Sequence, residues 1–233
     1  MKRLIFKKIS SIIVVFFLIN LIIAINSNAD EFKKKTLKKN KNSSQKSIVE
    51  PEEAGVQNGD LVFQSLGGSQ GNALKYALNS KINHVGMVYI VDDEVFVLEA
   101  MAKVRLTPWK KCVKRNKGKF TIKRMKNSER FFTKDKWKKI EKYVDSAVGK
   151  EYDFAFCWDD ERFYCSELIW KLYNECLNQK LGNLKKIKDC NLEHPLVKKM
   201  LKERYGDNIP LEETVASPSE MYKSKQLETI FKN

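Results

Sequence analysis

The chain has 233 residues, with 44 Lys and Arg against 29 Asp and Glu, and a formal net charge of +15 at pH 7. This length suits one principal domain, and the 42% of hydrophobic residues can build its core without disulfide staples. Two histidines and no CxxC pair argue against a zinc site, and no cofactor is implied. The positive charge does not indicate nucleic-acid binding, because no recognised motif accompanies it.

The first 29 residues have the composition of a secretory signal peptide. Four basic residues precede an apolar run over residues 9–25, and Ser27-Asn28-Ala29 places small residues where a signal peptidase cleaves. Cleavage after Ala29 would lower the net charge from +15 to +11, since residues 1–29 carry four positive and no negative charges. We therefore expect export to the periplasm or the extracellular space. An uncleaved signal anchor is the alternative, because the apolar run is nearly long enough to span a bilayer.

Residues 30–50 are predicted to be a basic, disordered linker. They are rich in Lys, Asn and Ser and have little apolar content. Such a segment can rest on anionic lipid headgroups or wall polymers, although a soluble tether is the simpler interpretation. The domain then occupies residues 51–233.

A hairpin is predicted to bring His84 and Glu99 onto one face of a sheet. Residues 84–91 and 94–100 are strand-like, and Asp92-Asp93 fits a two-residue turn between them. In that register the two side chains are diagonal neighbours, with Cβ atoms roughly 7–8 Å apart, so an imidazole and a carboxylate can meet. A loop one residue longer would move Glu99 to the other face. A half-buried strand histidine and an exposed strand-end glutamate are the simpler interpretations of each residue alone.

The other elements have weaker signals. We predict strands at 61–63, 103–106 and 119–125, the last of them an outer strand. We also predict a short helix at 73–78 and a longer helix that is capped by Asp135 and stopped by Gly149. The tail from Lys180 is predicted to be helical and loop-like, with a last helix that begins near Ser217.

Cys165 is predicted to lie at or near the first turn of the helix around which the domain is organised. Apolar residues follow at three- and four-residue steps, which is typical of a helix with one buried face: Leu168, Ile169, Leu172, Tyr173, Cys176 and Leu177. The partly positive N–H groups of a first helical turn favour a thiolate, which is a nucleophile at neutral pH. An inert buried thiol is the simpler interpretation of a single cysteine. Cys112, Cys157, Cys176 and Cys190 could pair in an oxidising compartment, and their spacing selects no connectivity.

Several stretches in this order resemble the permuted NlpC/P60 cysteine hydrolase superfamily, and in particular its YiiX/YebB-like group. They are Gly59-Asp60-Leu61-Val62-Phe63, His84-Val85-Gly86-Met87-Val88, Leu98-Glu99-Ala100, Tyr164-Cys165-Ser166-Glu167-Leu168 and the closing Ser217-Pro218-Ser219-Glu220-Met221-Tyr222. The cysteine helix comes after the histidine strand, as in the permuted group. The resemblance implies an α+β, papain-like fold in which an antiparallel sheet packs against the Cys165 helix.

The resemblance also implies the roles of individual residues. Cys165 would be the nucleophile, His84 would exchange its proton, and Glu99 would hold the imidazole. The backbone N–H of Cys165 would help to stabilise the oxyanion. Tyr164 and Asp60 are candidate substrate-binding residues of the cleft, although a packed aromatic ring and a turn cap are simpler interpretations.

The implied activity is hydrolysis of an amide bond through an acyl-enzyme. The expected partner is a small peptide or acyl substrate. Peptidoglycan stem peptides, which carry amide bonds, are the cell-wall source that the resemblance implies. The same superfamily includes lipid acyl hydrolases and acyltransferases. A catalytically silent module that binds cell-wall peptide, and an envelope scaffold whose basic tail matters most, are the remaining alternatives.

Overall fold

The computed structural model describes residues 48–233, so the predicted signal peptide and most of the predicted linker lie outside the described residues. An antiparallel sheet with strand order β4-β3-β2-β1-β5-β8 forms the centre of the domain. Its strands are β1 (Leu61–Gln64), β2 (His84–Val91), β3 (Glu94–Ala100), β4 (Val104–Pro108), β5 (Thr121–Met125) and β8 (Leu227–Lys232). A second, small sheet pairs β6 (Lys185–Lys186) with β7 (Thr214–Val215).

Within the described residues, the helices lie between these strands in the chain. They are α1 (Gly68–Ala77), α2 (Trp109–Val113), α3 (Arg115–Gly118), α4 (Ser128–Phe131), α5 (Lys134–Ala147), α6 (Cys165–Leu177), α7 (Pro195–Tyr205) and α8 (Pro218–Lys223), with a 3₁₀ turn at Ile187–Asp189. Within the described residues, no helix has the length and apolar content needed to cross a membrane.

The β2–β3 hairpin has the register predicted from its sequence. Val91 pairs with Glu94 and Val88 with Val97 across the turn at Asp92-Asp93. Both turn residues have left-handed backbone angles, with φ of 49° and 60°, which the twist of a two-residue hairpin requires. The side chains of β2 and β3 therefore lie on the faces of the sheet that the sequence alternation predicts.

The two faces of the sheet carry separate apolar clusters. On one face, Met87 and Leu98 belong to the main core, to which α6 contributes Leu168 and Leu172. On the other face, Val88 packs in a smaller cluster with α2 and the N-terminal segment. Helix α6 is buried along almost its whole length, which confirms the predicted α+β fold with a sheet packed against the Cys165 helix.

Some local predictions need correction. Strand β5 is interior, because β8 pairs along its outer side in a tail that we predicted to be helical and loop-like. The N-cap of α5 is Thr133, whose hydroxyl accepts from the Lys136 N–H, and not Asp135. Helix α1 begins at Gly68, five residues earlier than predicted. All five cysteines are free thiols.

Candidate active site

Three elements bring Cys165, His84 and Glu99 together at one end of the sheet. Cys165 is the first residue of α6, His84 begins β2 and Glu99 lies near the end of β3. The three residues are 4%, 4% and 0% exposed. His84 Nε2 lies 2.8 Å from Glu99 Oε2, which is the contact predicted from the hairpin register.

Cys165 and His84 line the same cleft, and the charge of each affects the pKa of the other. The Cys165 sulfur also lies 4.0 Å from the Asn83 carbonyl oxygen. Burial alone would raise the pKa of Cys165, but the His84 imidazolium and the N–H groups of Val85 and Ser166 lower it below that of an ordinary thiol. Burial alone would lower the pKa of His84, but the Cys165 thiolate and the Glu99 carboxylate raise it to about 9. Together these opposite shifts favour a thiolate beside an imidazolium over a neutral thiol beside a neutral imidazole.

Glu99 has further partners that the sequence analysis did not identify. Thr107 of β4 donates its hydroxyl to Glu99 Oε1 at 2.6 Å. Arg115 donates to both carboxylate oxygens, at 2.6 and 2.5 Å. Burial would raise the pKa of Glu99, but the bonds from Arg115 and His84 hold it well below its usual range. Glu99 is thus a permanent anion behind the imidazole.

Tyr152 is a second residue that sequence reasoning missed. It is 7% exposed and lines the cleft beside Cys165 and His84. Its hydroxyl accepts a hydrogen bond from Gln70 Nε2 at 3.1 Å, which leaves the hydroxyl proton available for donation. Burial and the nearby Cys165 charge raise the pKa of Tyr152 well above its usual value, so it remains a donor.

An apolar pocket opens on the other side of Cys165. Its empty volume is about 630 Å³, part of which is open to solvent. Helices α1 and α7 and the segment before α8 supply part of its walls, including Leu74, Val197, Met200 and Val215. The pocket therefore offers the nucleophile an apolar neighbour.

The two predicted substrate-binding residues have different positions. Tyr164 lines the apolar pocket, but it is 2% exposed and its hydroxyl accepts from the Ala216 N–H at 2.9 Å, so it acts mainly as a packed wall. Asp60 lines neither the cleft nor the pocket beside Cys165. Both of its oxygens bond Arg124 at 2.7 Å, and one also accepts from the Gln57 N–H. The structure corrects our placement of Asp60, because this buried ion pair fixes β1 to β5.

Comparison with known proteins gives a consistent family. The family model described as a permuted papain-like amidase enzyme, YaeF/YiiX, C92 family, matches residues 55–231. The uncharacterized protein YiiX of Escherichia coli strain K12 is 38% identical over 177 residues, which cover 76% of this chain and 86% of the relative. The crystal structure of yiiX from Escherichia coli O157:H7 has a TM-score of 0.71 and 39% identity, and the match covers 76% of this chain and 97% of that chain.

The yiiX crystal structure is described as that of a metalloprotein. In residues 48–233 of the present chain, no group of three or more His, Cys, Asp or Glu side chains is placed to hold a metal ion. Cys165 and His84 offer two donors, but the oxygens of Glu99 are engaged by His84, Thr107 and Arg115. The described residues do not fit a resident metal at the triad.

Proposed function

The chain belongs to the C92 family of permuted papain-like amidases, and we propose that it hydrolyses an amide bond through a covalent intermediate on Cys165. The observation that carries this proposal is the buried row of Cys165, His84 and Glu99, in which the thiol pKa is lowered and the imidazole pKa is raised. A structural cysteine needs neither shift.

In the first half of the reaction, the Cys165 thiolate attacks the carbonyl carbon of the bound amide. The tetrahedral intermediate collapses as the His84 imidazolium gives its proton to the departing nitrogen. The carbon–nitrogen bond breaks, an amine leaves, and a thioester to Cys165 remains.

In the second half, neutral His84 takes a proton from water, and the resulting hydroxide attacks the thioester. The carbon–sulfur bond breaks, a carboxylic acid leaves, and the thiolate–imidazolium pair returns. Glu99 stays ionised throughout and stabilises the imidazolium.

The negatively charged oxygen of the tetrahedral intermediate is stabilised by hydrogen-bond donors that are in place before the reaction begins. The backbone N–H of Cys165 belongs to the first turn of α6, where N–H groups have no acceptor within the helix. The Tyr152 hydroxyl lies in the same cleft and has its proton free to donate. We assign these two groups to the oxyanion site.

We propose that the substrate is a small cell-wall peptide or a related amide. We also propose that the enzyme is exported. The signal-peptide composition of residues 1–29 supports export. The basic composition of residues 30–50 supports a peripheral contact with the anionic envelope surface.

A second candidate function is lipid acyl hydrolysis or acyl transfer by the same thiol chemistry. The apolar pocket beside Cys165 favours this candidate, because aliphatic side chains such as Val197 and Met200 offer a carbon chain contact without charge. The two candidates differ only in the acyl group that the pocket accepts.

Trapping the acyl-enzyme tests the proposal. Purified protein would be mixed with a stem-peptide amide or with a decanoyl amide, quenched in acid, and analysed by mass spectrometry. We expect a thioester adduct on Cys165 with one of these substrates and no adduct in Cys165→Ala. An adduct with decanoyl amide alone would select the second candidate, and turnover that survives in Cys165→Ala would exclude thiol catalysis altogether.

A further inference from the structure

We propose that Arg115 is a positioning residue that balances the charge of the buried triad and thereby keeps Cys165 in its thiolate form at neutral pH. This inference rests on the proposed thiol mechanism, but its test measures the state of the sulfur and not the cleavage of a substrate.

The geometry around Glu99 is the first observation. Arg115 Nη1 and Nη2 bind the two carboxylate oxygens at 2.6 and 2.5 Å, Thr107 binds Oε1 at 2.6 Å, and His84 Nε2 lies 2.8 Å from Oε2. The side chains of Glu99 and Arg115 are 0% and 18% exposed. The planar guanidinium therefore binds both carboxylate oxygens and shares Oε2 with the imidazole.

A count of charges gives the consequence. With the thiolate, imidazolium, carboxylate and guanidinium all present, the buried cluster sums to zero. Without Arg115 it would carry one net negative charge away from water, which is unfavourable for an uncompensated buried ion. The cheapest relief is uptake of one proton, and the Cys165 thiolate is the basic group that can take it.

The surrounding groups do not replace Arg115. Arg105 reaches the carboxylate only through Thr107, to whose hydroxyl it donates at 3.1 Å. Cys112, also near Glu99, is a neutral thiol, because burial and, to a smaller extent, the Glu99 charge raise its pKa to about 12. Tyr152, which lies beside Cys165, keeps its hydroxyl proton, because burial and the Cys165 charge raise its pKa well above the usual value. Nearby charged residues also affect the pKa of Tyr152.

The charged residues around Tyr152 are Arg204 and Asp153. They have opposite signs, and the charges that act on Glu99 are those of His84 and Arg115, so Arg204 and Asp153 do not replace the charge of Arg115. Within the described residues, Arg115 and His84 are the cationic side chains in direct contact with Glu99.

An unusual backbone turn places Arg115 at this position. The next three residues, Asn116, Lys117 and Gly118, have φ of 49°, 56° and 76°, all in the left-handed region. Two successive non-glycine residues in that region are rare and cost free energy. The turn leaves Lys114 and Lys117 exposed while Arg115 is directed inward to Glu99.

The test is the pH dependence of Cys165 alkylation by iodoacetamide, read by peptide mass spectrometry. In Arg115→Met we expect the midpoint to move up by about one pH unit or more, so that the rate at a pH below both midpoints falls about tenfold. Arg105→Met removes a nearby cation that does not touch Glu99, and we expect its midpoint to stay within about 0.3 unit of wild type, since the arginine acts at longer range.

Two further variants separate charge balance from damage to the fold. Arg115→Lys keeps the charge but loses the guanidinium's paired hydrogen bonds to the carboxylate. We expect its midpoint to lie between those of wild type and Arg115→Met. Glu99→Gln/Arg115→Met removes one charge of each sign, and we expect its midpoint to return toward wild type. An unchanged midpoint in Arg115→Met, or a double variant no lower than Arg115→Met, would overturn the inference. A shifted midpoint without hydrolysis of any amide would leave it standing while the proposed function failed.

Discussion

Cys165 and Cys112 are both buried, and both interact with residues of the Glu99 cluster, yet their thiols differ in chemistry. His84 and two backbone N–H groups lower the pKa of Cys165 against the effect of burial. Burial raises the pKa of Cys112 to about 12, and the Glu99 carboxylate adds to the rise. Cys112 has only a weak contact to Gln64 Oε1, at 3.7 Å.

The difference shows that burial does not decide the reactivity of a thiol in this domain. Burial opposes the thiolate at both positions, and only a neighbouring cation with aligned N–H donors reverses it. The same carboxylate has opposite effects on the two thiols: its charge raises the pKa of Cys112, whereas at Cys165 it stabilises the His84 imidazolium, which lowers the thiol pKa.

Removing each of the two thiol groups in turn should give the largest effect. We expect Cys165→Ala to lower amide hydrolysis by about 10⁴-fold or more, because the covalent step is lost. Cys112→Ala should retain activity within about threefold at a cost in stability of about 1 kcal/mol, as for loss of a small buried group. Steady-state rates and urea unfolding of the two variants check this. Equal loss of activity in both would show that the thiols are not chemically distinct.

Removing the imidazole should make Cys165 resemble Cys112. In His84→Ala the burial of Cys165 is no longer opposed by a cation, so we expect its alkylation at pH 7 to fall by about 100-fold, the effect of about two pKa units. Site-resolved alkylation with iodoacetamide measures both thiols in one sample, and Cys112 serves as the internal reference. Unaltered Cys165 reactivity in this variant would mean that α6 alone activates the sulfur.

A smaller effect is expected at alkaline pH. The raised pKa of His84, about 9, means that the imidazolium is present below that pH and is lost above it. Hydrolysis needs this proton for the departing amine, so the rate should fall about tenfold per pH unit beyond the midpoint, while alkylation of Cys165 should not fall. Parallel profiles of the two reactions from pH 7 to 10.5 make the measurement. A joint decline would point to unfolding and not to loss of the general acid.

The residues that the sequence analysis found are those set by regular patterns. Alternation in β2 and β3 and the Asp92-Asp93 turn were enough to place His84 beside Glu99, and the apolar stripe of α6 placed Cys165 at its first turn. Strand β8 was missed because its six residues carry no clear alternation and follow a lysine-rich stretch.

Arg115 and Tyr152 could not be found in this way. Arg115 reaches Glu99 through a turn with successive left-handed residues, which no periodicity signals. Tyr152 lies in an irregular segment between α5 and α6, and its place in the cleft depends on a contact with Gln70 of α1, 82 positions earlier in the chain. Both depend on long-range packing.

The most direct test of the account is the site-resolved pH profile of alkylation in the wild-type protein. The account predicts that Cys165 reacts with a midpoint well below the ordinary thiol value of about 8.5, whereas Cys112 stays unreactive through pH 9. A Cys165 midpoint at or above the ordinary value, or equal rates at the two thiols, would contradict it.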